Sequence, residues 1–274
     1  MKISLILLLK NFFLINLLLL FPLLIFGIIF SFIKKQNNRY LRESIGHFGT
    51  SFFGIIGVPV HELSHLLMCL IFKHTVTEVR LFRPLKSRQD TILGYVKHKY
   101  NKNSIYQVTG CFFIGIAPMV FGAFLIVFIM NLIYPSLLST MVSFPGIDDL
   151  QMNKMLNVFL YNGRVIVMTI FSHSSLMNIS CWIGIYFIVS IALHMTISKA
   201  DFVNAMNGFL LLESIVLLFS FINIFPGSNA AGIIKTVEQI SSILLTVLFI
   251  SAIFLSIVYL FSYILYRIFN EFLM

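Results

Sequence analysis

The sequence predicts an all-α polytopic membrane protein, with about six transmembrane helices and a small β-hairpin at the membrane surface. Of its 274 residues, 59% are hydrophobic and only 11% are charged. Soluble domains carry about one quarter charged residues, so this chain has too few to cover a water-facing surface. Its apolar runs are long and continuous, which favours helices over the short alternating strands of membrane barrels.

Each transmembrane helix needs about 20 apolar residues. The predicted spans cover residues 3–33, 45–72, 104–134, 165–194 or 178–194, 209–225 and 233–268. A polar connection from Lys34 to Arg42 follows the first span, and residues 135–164 are expected to form a mixed loop. We expect one membrane domain over residues 1–274. It comprises an N-terminal anchor span (1–33), a core (45–210) and C-terminal spans (211–274).

The main polar region lies between the second and third spans. Val76 to Phe82 and Ile92 to His98 have alternating, β-branched character and are separated by a turn rich in proline and charge. This pattern predicts a β-hairpin.

The net charge of +9 is unevenly distributed, because twelve of the nineteen Lys and Arg residues fall between Lys34 and Lys102. In a membrane protein such basic connections indicate cytoplasmic retention and contact with the lipid bilayer, and we expect no nucleic-acid partner. Four basic residues follow the first span and eight follow the second, which would place them on opposite sides of the membrane. A re-entrant second segment, or a hairpin that dips back into the membrane, would remove this conflict.

The second span contains the sequence His61-Glu62-Leu63-Ser64-His65. Histidines four residues apart lie on one face of a helix, where both can bind one Zn²⁺. Zinc lowers the pKa of bound water, and Glu62 is the expected general base. Ionisable residues inside a membrane indicate function by default. The alternative is an interfacial helix whose histidines are satisfied by neighbouring groups.

A catalytic zinc site needs a third protein ligand and an open position. The candidates are Asp201, His194, His173, Asp148, Asp149 and Glu213. Asp201 has a second explanation, because Ser198 to Asp201 has the spacing of a helix capping box. The Gly115 to Pro118 segment of the third span either exposes backbone to a cavity or is an ordinary proline kink. The three cysteines, Cys69, Cys111 and Cys181, are interpreted as small core residues.

A membrane-embedded His-Glu-x-x-His helix, a surface hairpin, a span bearing Gly and Pro and a later intramembrane Asp together resemble the site-2 protease family of intramembrane zinc metalloproteases. The resemblance implies that Asp201 is the third ligand beside His61 and His65, with His194 as the alternative. The chain departs from the family pattern because it lacks the Asn-Pro-x-Pro run and the Gly directly after Asp201.

The resemblance further implies a zinc metalloendopeptidase in a membrane, with a bacterial cytoplasmic membrane the expected home. Its substrates would be membrane proteins, or peptides at or within the membrane. A different class of function is also consistent with the motif, namely a non-catalytic zinc-binding membrane protein or a metal transporter. A transporter needs ionisable groups on several spans, whereas here they concentrate around one motif.

Overall fold

The structure is a computed structural model that describes residues 2–135, 137–140, 152–222 and 230–273. From the N-terminus its elements are α1 (Lys2–Ile15), a π-helical turn (Asn16–Leu20), α2 (Phe21–Ile45), α3 (His47–Ile71), β1 (Thr75–Arg80), α4 (Ser87–Asp90), β2 (Tyr95–Lys99), α5 (Ile105–Ile133), α6 (Leu137–Thr140), α7 (Met152–Ile170), α8 (His173–Leu176), α9 (Ile179–His194), α10 (Lys199–Ile222) and α11 (Ala230–Leu273).

The predicted fold class, an all-α polytopic protein with a β-hairpin, is confirmed. Five helical segments in the described residues are long and apolar enough to cross a membrane, and α9, with 16 residues, is a shorter apolar helix. The prediction of a loop over residues 135–164 is wrong for its second half, because α7 starts at Met152. Polar residues such as Asn153, Lys154 and Arg164 interrupt the apolar pattern of α7. This helix is therefore not among those apolar enough to cross a membrane.

The first span does not end near residue 33. It continues as α2 to Ile45, because its polar end contains good helix formers such as Lys34 and Arg42 and carries an Arg39–Glu43 ion pair (3.1 Å) one turn apart. Gly46, with φ of +70°, separates α2 from α3. The continuous segment Leu8–Ile45 is about 57 Å long, almost twice the thickness of a hydrocarbon layer.

Helix α5 lies at the centre of the bundle, where it packs against α3, α9 and α10. The close contacts are made at small residues, which let neighbouring helices approach each other. A Cβ atom at Gly115 would meet the Asp201 backbone oxygen and the Ala205 side chain on α10. A Cβ at Gly57 on α3 would overlap the His194 ring and the Ser190 carbonyl on α9. These contacts bring α3, α5, α9 and α10 together around the motif.

The hairpin pairs β1 with β2 in antiparallel register, with an irregularity between Val76 and Glu78. Tyr95 and Lys97 on β2 donate hydrogen bonds to the Glu78 carboxylate, at 2.6 and 3.0 Å. These hydrogen bonds lower the pKa of Glu78 to about 2. The ion pair between Glu78 and Lys97 therefore stays charged over the physiological pH range.

The hairpin lies along the side of α3 instead of projecting from its end. Its tip contacts the first residue of α3, because the His47 ring hydrogen-bonds the Pro84 carbonyl at 2.9 Å. Further along α3, Gly54 lies beside Phe82 and Leu93 of the hairpin. The basic tip of the hairpin therefore lies near Arg42 and the start of α3.

Candidate metal centre in the membrane helices

The two motif histidines project from one face of α3, one turn apart. Their Nε2 atoms are 3.1 Å apart. Pro59 does not break the helix before them, since α3 runs without interruption from His47 to Ile71. His65 is buried, and His61 is largely shielded.

Each ring is oriented by a backbone carbonyl. The His61 Nδ1–H donates to the His194 carbonyl at 2.7 Å, and the His65 Nδ1–H donates to the Ile114 carbonyl at 2.8 Å. A carbonyl only accepts, so Nδ1 carries the proton of each neutral ring and Nε2 presents a lone pair. Such outer hydrogen bonds are the usual support of metal-binding histidines.

The sequence explains why neither carbonyl is occupied by a hydrogen bond within its own helix. His194 is the last residue of α9, where helix carbonyls have no partner within the helix. Ile114 lies four residues before Pro118, which has no N–H to donate to it. The Gly115 to Pro118 segment thus remains part of a continuous helix, and its proline leaves a carbonyl for the motif.

Asp201 completes the cluster from the first turn of α10. Its Oδ1 atom lies 3.2 Å from the His65 Nε2, and its Oδ2 atom lies 3.7 Å from the His61 Nε2. A tetrahedral zinc with bonds of about 2.0–2.1 Å would separate its nitrogen and oxygen ligands by about 3.3–3.4 Å. The three separations match this value within a few tenths of an ångström, so these residues can hold a metal ion.

Asp201 is also the third helical residue of a capping box whose N-cap is Ser198, as the sequence suggested. The Ser198 N–H donates to Asp201 Oδ2 at 2.9 Å, and the Asp201 N–H donates to Ser198 Oγ at 3.1 Å. The two interpretations of Asp201 are compatible, because the capping box fixes the carboxylate in the orientation that faces the histidines.

A cavity of about 420 Å³ opens beside the three candidate ligands, and Glu62 lines it. The Glu62 side chain is only 7% exposed. The wall opposite α3 is formed by residues 91–96, which include the start of β2. Here the backbone of Gly94 packs so closely that a Cβ atom would lie 2.9 Å from Glu62 Cγ.

Lys34 is a cavity residue that the sequence did not indicate, because it was assigned to a connection outside the membrane. The continuation of α2 brings it to the cavity, where its Nζ donates to Thr196 Oγ1 at 3.3 Å. Asn204, one turn after Asp201, also lines the cavity and donates to the Cys111 carbonyl at 3.4 Å.

The other predicted ligands lie elsewhere or have other partners. The His194 ring is buried, and its Nδ1–H donates to the Ser190 carbonyl at 2.8 Å, so it is the carbonyl of His194 that reaches the motif. Glu213 accepts a hydrogen bond from Asn16, and His173 is exposed at the start of α8. Asp148 and Asp149 lie outside the described residues.

The chain matches no protein-family model, no curated protein and no solved structure.

Proposed function

We propose that the protein is an intramembrane zinc metalloprotease, which hydrolyses peptide bonds of transmembrane or membrane-proximal substrates. The observation that carries the proposal is the arrangement of His61, His65 and Asp201, whose ligand atoms lie 3.1–3.7 Å apart beside a buried glutamate. Two imidazoles and one carboxylate form a ligand set typical of catalytic zinc, in which the fourth position is open.

Zinc supplies two things in such a site, a lowered pKa for bound water and polarisation of the scissile carbonyl. Glu62 lines the cavity beside the candidate ligands, where its carboxylate would accept the proton of the attacking water. It then passes that proton to the leaving amine. The Glu62 side chain is 7% exposed and packs beside Gly94, which limits its contact with bulk water.

The substrate would enter as an extended chain beside β2. In the described part of the protein β2 pairs with β1 alone, and the residues that begin β2 face the cavity. An extended peptide can add to such a strand through main-chain hydrogen bonds, which recognise backbone instead of sequence. A transmembrane helix must unwind to bind in this way, which places cleavage near a helix end or break.

The test compares the zinc-loaded full-length protein with its Glu62→Gln variant in detergent micelles. The probes are β-casein, which presents extended segments, and synthetic transmembrane peptides, with new N-termini detected by mass spectrometry. We expect cleavage by the wild-type protein and a loss of roughly 10²–10⁴-fold in the variant, at an unchanged zinc content.

Equal cleavage by both proteins would show that Glu62 is not the base. The alternative, a metal transporter, predicts zinc flux into liposomes by the wild-type protein without cleavage of any probe.

A further inference from the structure

Outside the motif, the described residues contain a second cluster of metal-binding side chains, formed by Cys69, His74 and His98. One ligand atom from each residue lies within 4.8 Å of the other two. We call it the hairpin-base cluster, because it lies where the chain leaves α3 and enters the hairpin. No step of the proposed hydrolysis uses these residues.

The end of α3 brings the first two residues together. Lys73 has φ of +56°, the His74 N–H donates to the Cys69 carbonyl at 2.8 Å, and the Lys73 N–H donates to the Leu70 carbonyl at 3.2 Å. These two hydrogen bonds define a Schellman motif, in which the first and last residues are usually apolar and in contact. Here the contacting pair is a cysteine and a histidine.

The hairpin supplies the third residue. His98 on β2 is paired with Val76 on β1, and Val76 is two residues after His74. Residues two apart share a face of a strand, so His98 is the diagonal neighbour of His74. Their Nδ1 atoms are 3.0 Å apart.

The His74 ring is oriented as a ligand would be. Its Nε2–H donates to the Gln107 carbonyl on α5 at 2.8 Å, so its Nδ1 carries a lone pair directed at the cluster. The support is of the same kind as for the two motif histidines. Tyr100 stacks on the same ring, with centroids 5.3 Å apart, and helps to exclude water.

Burial and spacing both suit a bound ion. Cys69 is fully buried and His74 is 5% exposed. A tetrahedral zinc with one sulfur at about 2.3 Å and nitrogens at about 2.0–2.1 Å separates its ligand atoms by about 3.3–3.6 Å. The 3.0 Å between the histidines is near this value. All three ligand atoms lie within 4.8 Å of one another, so a contraction of about 1 Å or less brings them into range.

We infer that Cys69, His74 and His98 bind a second metal ion, of the thiophilic class to which Zn²⁺ belongs, and that this ion joins the end of α3 to β2. One thiolate and two imidazoles favour Zn²⁺ over Mg²⁺ or Ca²⁺, which prefer oxygen ligands. Because residues at the start of β2 line the catalytic cavity, the ion would fix the hairpin wall relative to the motif.

The test measures metal content and ligand type in the full-length protein purified in detergent. Wild type, Cys69→Ser, His98→Asn and the double variant His61→Asn/His65→Asn are loaded with Zn²⁺ or Co²⁺, freed of excess metal and analysed by plasma mass spectrometry. The matched control is Cys181→Ser, which alters another buried cysteine. Size-exclusion profiles establish that each variant is folded.

We expect about two ions per chain in the wild type and the control, and about one in every other variant. With Co²⁺, a near-ultraviolet thiolate charge-transfer band should appear in the wild type and in the motif double variant, and it should be absent from Cys69→Ser. His98→Asn keeps the thiol and changes a partly exposed residue, so it tests the site even if Cys69→Ser fails to fold.

One ion per chain in the wild type without the thiolate band, or a double variant without metal and without the band, would overturn the inference and leave the proposed protease function intact. Conversely, an ion that remains bound in the motif double variant, together with the thiolate band, supports the inference even if no cleavage activity is found.

Discussion

Asp201 belongs both to the proposed metal centre and to the capping box of α10, and two substitutions separate these roles. Asp201→Asn retains an oxygen that can accept the Ser198 N–H but removes the negative charge that faces His61 and His65. Ser198→Ala removes the hydroxyl that accepts the Asp201 N–H and leaves the carboxylate in place.

The expected magnitudes follow from the contacts. A structural zinc site with four ligands is worth about 10–16 kcal/mol, so one ligand contributes about 2.5–4 kcal/mol. Asp201→Asn should therefore weaken zinc binding by about 100-fold or more, with little change in the unfolding temperature of the metal-free protein. Loss of a cap costs about 0.5–2 kcal/mol, so Ser198→Ala should lower that temperature while zinc affinity changes by less than about threefold.

The assay is a competition titration against a chromophoric chelator, paired with thermal unfolding of the metal-free proteins. Both are measured in the same detergent, on Cys69→Ser backgrounds so that a second ion does not obscure the result. If Asp201→Asn binds zinc as tightly as its parent, Asp201 is only a helix cap and the proposed ligand set is wrong.

Two further predictions concern residues that position the site. Pro118→Ala supplies an N–H that competes for the Ile114 carbonyl, so the His65 ring is held less firmly and zinc affinity should fall about tenfold in the same titration. Gly94→Ala places a methyl group 2.7–2.9 Å from Val58 Cγ1, the Leu81 carbonyl oxygen and Glu62 Cγ, so the hairpin wall and the Glu62 side chain must shift relative to each other. Peptide cleavage should fall at least about tenfold while zinc content stays constant, as activity and metal assays on one preparation would show.

Each of these variants has a matched control. Pro59→Ala changes the proline of α3. Pro59 deprives the Ile55 carbonyl of a helical donor, as Pro118 does for the Ile114 carbonyl, but the Ile114 carbonyl is untouched by this substitution. Gly163→Ala adds a methyl group whose nearest neighbours would be 3.9 Å away, an ordinary contact. If a control variant loses as much as its partner, the effect reflects general destabilisation and not the position of His65 or Glu62.

Much of the fold was predictable, because bilayer thickness and apolar run length directly determine helical spans. The hairpin was also predictable from its alternating strands. By contrast, α7 was missed because its polar residues hide a helical pattern. The end of α2 was missed because charged residues such as Lys34 and Arg39 were taken to terminate a span, although they are good helix formers.

The candidate site was predictable only where side chains form a local pattern. His61, Glu62 and His65 are separated by a fixed helical spacing, so sequence alone places them on one face. The carbonyls of Ile114 and His194 leave no side-chain signal, although Pro118 marks the first of them. They become visible only once α5 and α9 are packed against α3.

The hairpin-base cluster was missed for a related reason. Cys69 and His74 are five residues apart, which is not a helical ligand spacing. They meet because Lys73 adopts a positive φ and reverses the chain. A cysteine in an apolar helix was therefore interpreted as a core residue.

The most direct test of the metal centre is zinc K-edge X-ray absorption on the Cys69→Ser variant, in which the hairpin-base cluster lacks its sulfur. We expect about one zinc per chain with nitrogen and oxygen neighbours at about 2.0–2.1 Å and a multiple-scattering pattern of two imidazoles. The bound zinc should be lost on His61→Asn/His65→Asn substitution. A zinc shell that is unchanged by that substitution, or a wild-type protein that binds zinc through sulfur alone, would contradict the proposed metal centre.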